Sequence, residues 1–321
     1  MSDRGARPKT KLGWMLLGGV VGVSTAVCPA IAETAGRFVR PMNLSLQPAA
    51  PESIYEPPSP PRGDEGVNEG AVHFDLSVGY FTDYVFRGIE LSELPSFNPS
   101  SNTDAEDFAN LQVASQLSWN LGKLPHPFIG VFVNFAESDP VSSFQEIRPY
   151  FGAEWTIRPV KFTAGHNTYL YPDRDEFETS EVFARIQLDD SYFLSSERPL
   201  LSPYIYGAYD YDRYNGWYLE AGVTHEFPIE ETGLTLTAEA HVAYVRGIDL
   251  FDATAGAKET TGFQHYQIGL LADYSLNHLM NVSSRYGQWS LQAFLYYTDG
   301  IDNDLRANTQ IWGGAGIMFR Y

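Results

Sequence analysis

The stretch "VHFDLSVGYFTDYVFRG", Val72 to Gly88, decides the fold. Its even positions, Val72, Phe74, Leu76, Val78, Tyr80, Tyr84 and Phe86, are apolar or aromatic, broken only by Thr82. Its odd positions hold His73, Asp75, Ser77, Gly79, Asp83 and Arg87, with Phe81 and Val85 as apolar members. A period of two is that of a β-strand, whose successive side chains point to opposite faces. One face therefore expects a greasy neighbour, and the other expects water or polar partners. On this reading Tyr80, Tyr84 and Phe86 face lipid or its interface, and Asp83 and Arg87 face the other way as two separate anchors.

The scheme recurs along the chain. Leu111, Val113, Leu117 and Trp119 alternate with Asn110, Gln112, Gln116 and Ser118, and Ile147, Phe151, Ala153 and Trp155 with Glu146, Arg148, Tyr150, Gly152 and Glu154. Val160, Phe162 and Ala164 oppose Lys161, Thr163 and Gly165; Val182, Ala184, Ile186 and Leu188 oppose Glu181, Phe183, Arg185 and Gln187. Segments at 129–135, 203–211, 217–223, 234–244, 266–274, 289–297 and 311–321 continue it, giving about twelve strands and no helical segment of comparable strength.

Alternation alone fits a soluble sandwich or a lipocalin-like barrel as well. Three features point instead to an all-β transmembrane antiparallel barrel. The strands are long, as a tilted strand crossing a bilayer must be. Short connections such as Arg158-Pro159 alternate with long polar ones such as Glu90 to Asp107. Aromatic residues gather near strand ends, among them Trp119, Trp155, Trp217, Tyr244, Tyr274, Trp289 and Tyr297, where interfacial girdles lie.

The two ends of the sequence agree. Arg4, Arg7, Lys9 and Lys11 precede an apolar run from Leu12 to Val27, and Ala30-Ile31-Ala32 offers a small-x-small cleavage site. Residues 1–32 thus read as a signal peptide for Sec-type export. Residues 33–70 contain seven prolines and no periodicity, as in a disordered linker or tail. This tail is either a passive spacer or a reach toward a periplasmic partner. The barrel is expected over 71–321. Its last residues, "QIWGGAGIMFRY", place Ile317, Phe319 and Tyr321 on one face. That ending resembles the terminal strand by which outer-membrane barrels are recognised by the assembly machinery.

"DYVFRG", Asp83 to Gly88, resembles the first-strand motif of the TorF family of porins in Gram-negative outer membranes. "TYLYPDRDEFETSEVFARI", Thr168 to Ile186, and "SPYIYGAYDYD", Ser202 to Asp212, are similar to that family's tyrosine-proline loop and tyrosine-rich next strand, in the family's order. The chain departs from the family in its long proline-rich segment and in "IELSE" after Arg87. The resemblance implies a porin-like role without naming a solute.

Chemistry follows from the charged face. Asp75, Asp83, Glu146, Glu154, Glu181, Glu220, Glu239 and Asp273 are expected to point into the lumen, together with Arg87, Arg148, Lys161, Arg185 and Arg320. The acidic excess suggests a mild cation preference if a pore is open; if these charges pair with one another, they seal the interior instead. Without residues 1–32 the chain has 17 Lys and Arg against 39 Asp and Glu, a formal charge of −22. So acidic a chain is a poor binder of nucleic acid.

The seven histidines are scattered. "GHNTY" at 165–169 and "NHLMNVSS" at 277–284 come nearest to a hydrolase cluster, but neither has a spacing that signals catalysis. "DGIDND" at 299–304 departs from calcium-loop spacing. Neither enzymatic activity nor a cofactor or metal is expected. The functional expectation is a passive channel for small hydrophilic solutes. A closed anchoring barrel is the first alternative and an outer-membrane hydrolase the second.

Overall fold

The computed structural model describes residues 71–91, 109–136, 145–172, 175–196, 198–229, 232–248, 250, 261–307 and 309–321. The expected signal peptide and proline-rich segment lie outside the described residues.

Among the described residues fourteen strands appear in chain order. They are β1 (Val72–Phe81), β2 (Val85–Phe86), β3 (Ile89–Glu90), β4 (Asn110–Trp119), β5 (His126–Ala136), β6 (Gln145–Ile157) and β7 (Val160–Tyr169). There follow β8 (Thr179–Leu188), β9 (Tyr204–Asp210), β10 (Gly216–Ile229), β11 (Leu234–Arg246), β12 (Thr261–Ser275), β13 (Gln288–Gly300) and β14 (Gln310–Arg320). Short helices α1 (Ser191–Leu194) and α2 (Leu276–Met280) sit in two of the connections.

Twelve of the strands close into one antiparallel barrel, in which each pairs with its sequence neighbour and β1 closes on β14; β2 and β3 form a separate two-stranded hairpin. The closing seam runs from Asp75↔Arg320 to Phe81↔Gly314, and Phe74 and Tyr321 exchange backbone hydrogen bonds of 2.8 Å beyond it. Because the strand number is even, both chain ends of the barrel lie at one end, here the terminal end. A ten-residue strand is about 33 Å long, and tilted by roughly 45° it rises about 23 Å, close to the apolar band of a membrane barrel.

The two faces differ as the alternation demands. Val78, Tyr80, Ile129, Phe151, Ile186 and Ile268 point outward and are exposed. Ser77, Asn134, Glu146, Arg148, Gln267 and Gln292 point inward and are buried. Large apolar groups outside and amides and charges inside invert the arrangement of a water-soluble barrel. Such a wall is stable only where the surrounding solvent is apolar, so the fold is that of a transmembrane β-barrel.

Inward tyrosines lie across neighbouring strands because glycines make room for them. Tyr150 pairs across the ladder with Gly130, and Tyr296 with Gly269; a Cβ on either glycine would collide with the ring. The rings consequently cover the inner wall rather than standing free in the lumen.

One expectation fails, at the opening stretch. Strand β1 ends at Phe81, and Tyr84 and Phe86 do not face lipid; they are 0% and 6% exposed, inside the barrel. The period of two presumes that the chain continues straight. At Thr82 it turns inward instead, carrying both faces of the following segment into the lumen.

Candidate functional site

The segment after β1 forms a two-residue hairpin. Val85 pairs with Glu90 and Phe86 with Ile89, leaving Arg87 and Gly88 at the turn with φ values of 50° and 78°. Positive φ at both central residues is what a tight hairpin of this hand needs. Gly88 adopts it freely; Arg87, with a side chain, does so at a cost of order 1–3 kcal/mol. The base of the hairpin is closed by Leu91 N–H donating to the Tyr84 carbonyl at 3.0 Å. Thr82 is tied to β14 by its N–H to the Gly313 carbonyl (2.9 Å) and by Gly313 N–H to its own Oγ1 (3.1 Å).

The hairpin crosses the whole lumen. In the strand order β9 is farthest from β1 in either direction, and β8 and β10 flank it. Arg87 Nη2 reaches β8, donating to both carboxylate oxygens of Glu181 at 2.8 and 2.9 Å. Its guanidinium also lies 4.4 Å from the Tyr218 ring on β10 and 4.8 Å from Phe86. Glu181 Oε1 accepts two further hydrogen bonds, from Asn167 Nδ2 (2.9 Å) and Tyr169 Oη (2.8 Å). From β12, Gln264 Nε2 donates to the Arg87 carbonyl at 3.0 Å, and Gly88 lies directly against the His265 ring.

A second cluster holds the hairpin's flank. Tyr84 Oη donates to Glu146 Oε2 at 2.6 Å and accepts from Arg148 Nη2 at 3.2 Å. Arg148 is paired with Glu146, Nε to Oε1 at 2.9 Å, and its guanidinium sits 4.8 Å from the Phe132 ring and 4.6 Å from the Tyr169 ring. Tyr84 stacks on Phe132, and Phe86 meets Tyr169 edge-on. Glu90 and Gln310 are hydrogen-bonded on the remaining side.

Toward the terminal end the lumen becomes polar. Lys161 pairs with Glu154 at 2.7 Å and Arg320 with Asp75 at 2.8 Å. Arg185 stacks 3.6 Å from the Tyr204 ring, while Tyr204 and Tyr218 donate to Glu220 at 2.5 and 3.0 Å. His241 lies 3.8 Å from Glu220, and Tyr296 hydrogen-bonds Glu239. Asp273 accepts from Ser290 Oγ and Gln292 Nε2, both at 2.8 Å. Thr163 Oγ1, Gln187 Oε1 and Thr237 Oγ1 are buried here without a protein partner. Buried polar atoms need partners, and a polar space of this kind is one that water can enter to supply them.

The structure thus places Asp75, Glu146, Arg148, Lys161, Glu181, Arg185, Glu220 and Asp273 in the buried interior. Asp83 and Arg87 are inside because the hairpin brings them there; Thr82 Oγ1 donates to Asp83 at 2.5 Å. Most of the charges are drawn into pairs. The sequence signal for the hairpin was "VFRGIE", two short apolar-containing arms around an Arg-Gly turn, and strand alternation obscured it.

The other sequence candidates fall apart or have structural roles. His166 points outward, 2.7 Å from Tyr211 Oη and stacked on Phe151, whereas Asn167 points inward to Glu181. Ser275, not a serine of "NHLMNVSS", caps α2. Asp299 and Asp302 bond Thr309, Gly300 and Asp304 within their own loop. Among the described residues no group of three or more His, Cys, Asp or Glu could hold a metal ion.

No family model matches the chain, and no curated protein does. Among solved structures the chain is similar to LpxR from Salmonella typhimurium, with 11% identity over 76% of this chain and 99% of that one and a TM-score of 0.40. It is also similar to OccAB3 of Acinetobacter baumannii (9%, 77% and 64%, TM-score 0.33) and to a porin variant from Rh. blastica (8%, 78% and 99%, TM-score 0.30). Likenesses at this level belong to barrels in general and assign nothing further to this chain.

Proposed function

We propose that the chain is an outer-membrane barrel that passes small hydrophilic solutes through a narrow lumen, with the β2–β3 hairpin as a gate that is closed at rest. The observation that carries this reading is how the hairpin is held. It is fixed at its tip and flank by ion pairs and hydrogen bonds, and the space beneath it is lined by polar groups that call for water. A plug meant only to fill space needs no such contacts, since apolar packing of equal volume serves at least as well as a buried ion pair.

The membrane is the outer membrane of a Gram-negative cell, reached after removal of residues 1–32. The end of the barrel that carries Thr82 faces outside, the terminal end faces the periplasm, and Ile317, Phe319 and Tyr321 are read by the assembly machinery. The TorF-like "DYVFRG" agrees with a porin-like role, and in this chain it forms the gate. The lumen-facing rows hold more acidic than basic residues, which supports a mild cation preference once the gate is open.

A closed anchoring barrel is the second reading, favoured by the full burial of Tyr84, Ile89 and Leu91 in the lumen. Planar-bilayer recording separates the two. The native chain should show rare openings, and a variant with 83–91 replaced by a Gly/Ser linker should conduct steadily with a cation-shifted reversal potential. A linker variant that is folded yet silent overturns the channel and leaves the anchor.

A further inference from the structure

At the terminal end, two connections carry large apolar side chains that no part of the described chain covers. In the first, α1 presents Tyr192, Phe193 and Leu194; in the second, α2 and the residues after it present Leu279, Met280 and Tyr286. Tyr192 and Tyr286 are 69% and 72% exposed, more than any aromatic on the barrel wall. A water-facing turn has no use for six such groups, and contiguous apolar patches of this kind mark a surface that is covered.

Their place in the fold says by what. The first connection continues beside β10 past the last ladder pair: Leu201 O accepts from Thr224 N–H, and Leu200 O is hydrogen-bonded by outward-pointing His225. The second is fastened to the outward face. Asn277 Oδ1 accepts from the Trp289 N–H, Gly287 packs on Phe319, and the Trp289 and Phe319 rings lie 4.5 Å apart. Both apolar tips therefore continue the lipid-contacting wall past the last ladder residues rather than starting a separate surface. Exposed Arg285 accompanies the second tip, where a lipid phosphate would lie.

We infer that these two turns are interfacial anchors, inserted into the headgroup region of the leaflet at the terminal end. Short amphipathic helices with aromatic and aliphatic tips lie in that layer because it offers an apolar medium for the ring and water for the hydroxyl. The turns extend the girdle on two sectors of the rim, next to β8–β9 and β12–β13, and so fix the depth and tilt of the barrel.

The inference rests on the membrane reading, and the test separates the two. In a Cys28→Ser background, which holds no other cysteine, single cysteines at Tyr192, Tyr286, mid-wall Ile268 and far-end Asp304 take an environment-sensitive fluorophore. The protein is refolded into phosphatidylethanolamine–phosphatidylglycerol vesicles with lipids brominated at shallow or deep positions. Emission from Tyr192→Cys and Tyr286→Cys should shift to the blue and be quenched several-fold more by shallow bromines than emission from Asp304→Cys. Ile268→Cys should respond to deep bromines. Turn sites that behave like Asp304→Cys while Ile268→Cys is quenched overturn the anchors and leave the barrel. Loss of quenching at Ile268→Cys as well overturns the membrane reading itself. Turn sites shielded only as protein concentration rises, with no lipid quenching, show a second copy as the occupant and also overturn the proposal.

Discussion

Substituting Glu181 by Gln keeps the shape of the side chain and removes one charge. The carboxylate accepts four hydrogen bonds, two from Arg87 and one each from Asn167 and Tyr169. An amide oxygen in the place of Oε1 can keep the bonds from Asn167, Tyr169 and Arg87, but its NH2 replaces Oε2 and meets Arg87 Nη2 donor against donor, and the charge that paired with the guanidinium is gone. Breaking a buried ion pair from one side costs about 3–5 kcal/mol, because the remaining charge stays desolvated. The undocked hairpin is spared that cost, since Arg87 regains water when it leaves. The penalty therefore falls on the closed state. At about 1.4 kcal/mol per tenfold, the open-to-closed ratio should rise roughly a hundredfold or more. Single-channel open probability measures it directly, with heat-modifiable gel mobility as the check that the barrel is folded. The double variant Arg87→Met/Glu181→Gln should add little to either single change, because each already breaks the same pair. A folded Glu181→Gln protein with native open probability, or strictly additive effects, refutes the gate.

Two smaller perturbations probe the same hairpin. Gly88→Ala places a Cβ 2.5 Å from the His265 ring at a φ of 78°; it should open the channel, and His265→Ala should partly restore closure by clearing the space. Tyr84→Phe removes one hydrogen bond to Glu146 and leaves the buried carboxylate short of a donor, at about 1–3 kcal/mol. Its effect on open probability should lie below that of Glu181→Gln, and an equal or larger effect would move the main latch from the tip to the flank.

The wall was legible in the sequence because each strand meets two solvents. Asp75 and Leu76, or Arg185 and Ile186, declare their faces residue by residue, so the strand number followed from alternation. The hairpin was not legible by the same rule. Tyr84 and Phe86 keep the parity of β1, and parity cannot show that the chain has turned away from the sheet. What marked the turn was Thr82 in the apolar row and Gly88 after a bulky residue, signals weaker than seven apolar members in phase. The partners were also beyond sequence reading. Glu181 lies 94 residues from Arg87, and only closure of the barrel brings β8 across from β1.

The hairpin is joined at both ends, by Thr82 to β1 and beyond Leu91 to the rest of the long connection, so it behaves as a ligand that cannot diffuse away. A tethered ligand faces its site at an effective concentration that its connection sets, at most in the millimolar range. Reclosing is then a first-order event, independent of how much protein is present, and weakening the latch shortens closures without ever losing the plug. A free peptide of sequence "DYVFRGIEL" would compete with it only when supplied at a comparable millimolar level. The native current should accordingly consist of rare, brief openings, and the closed dwell times between them carry the energetics of the Arg87 site.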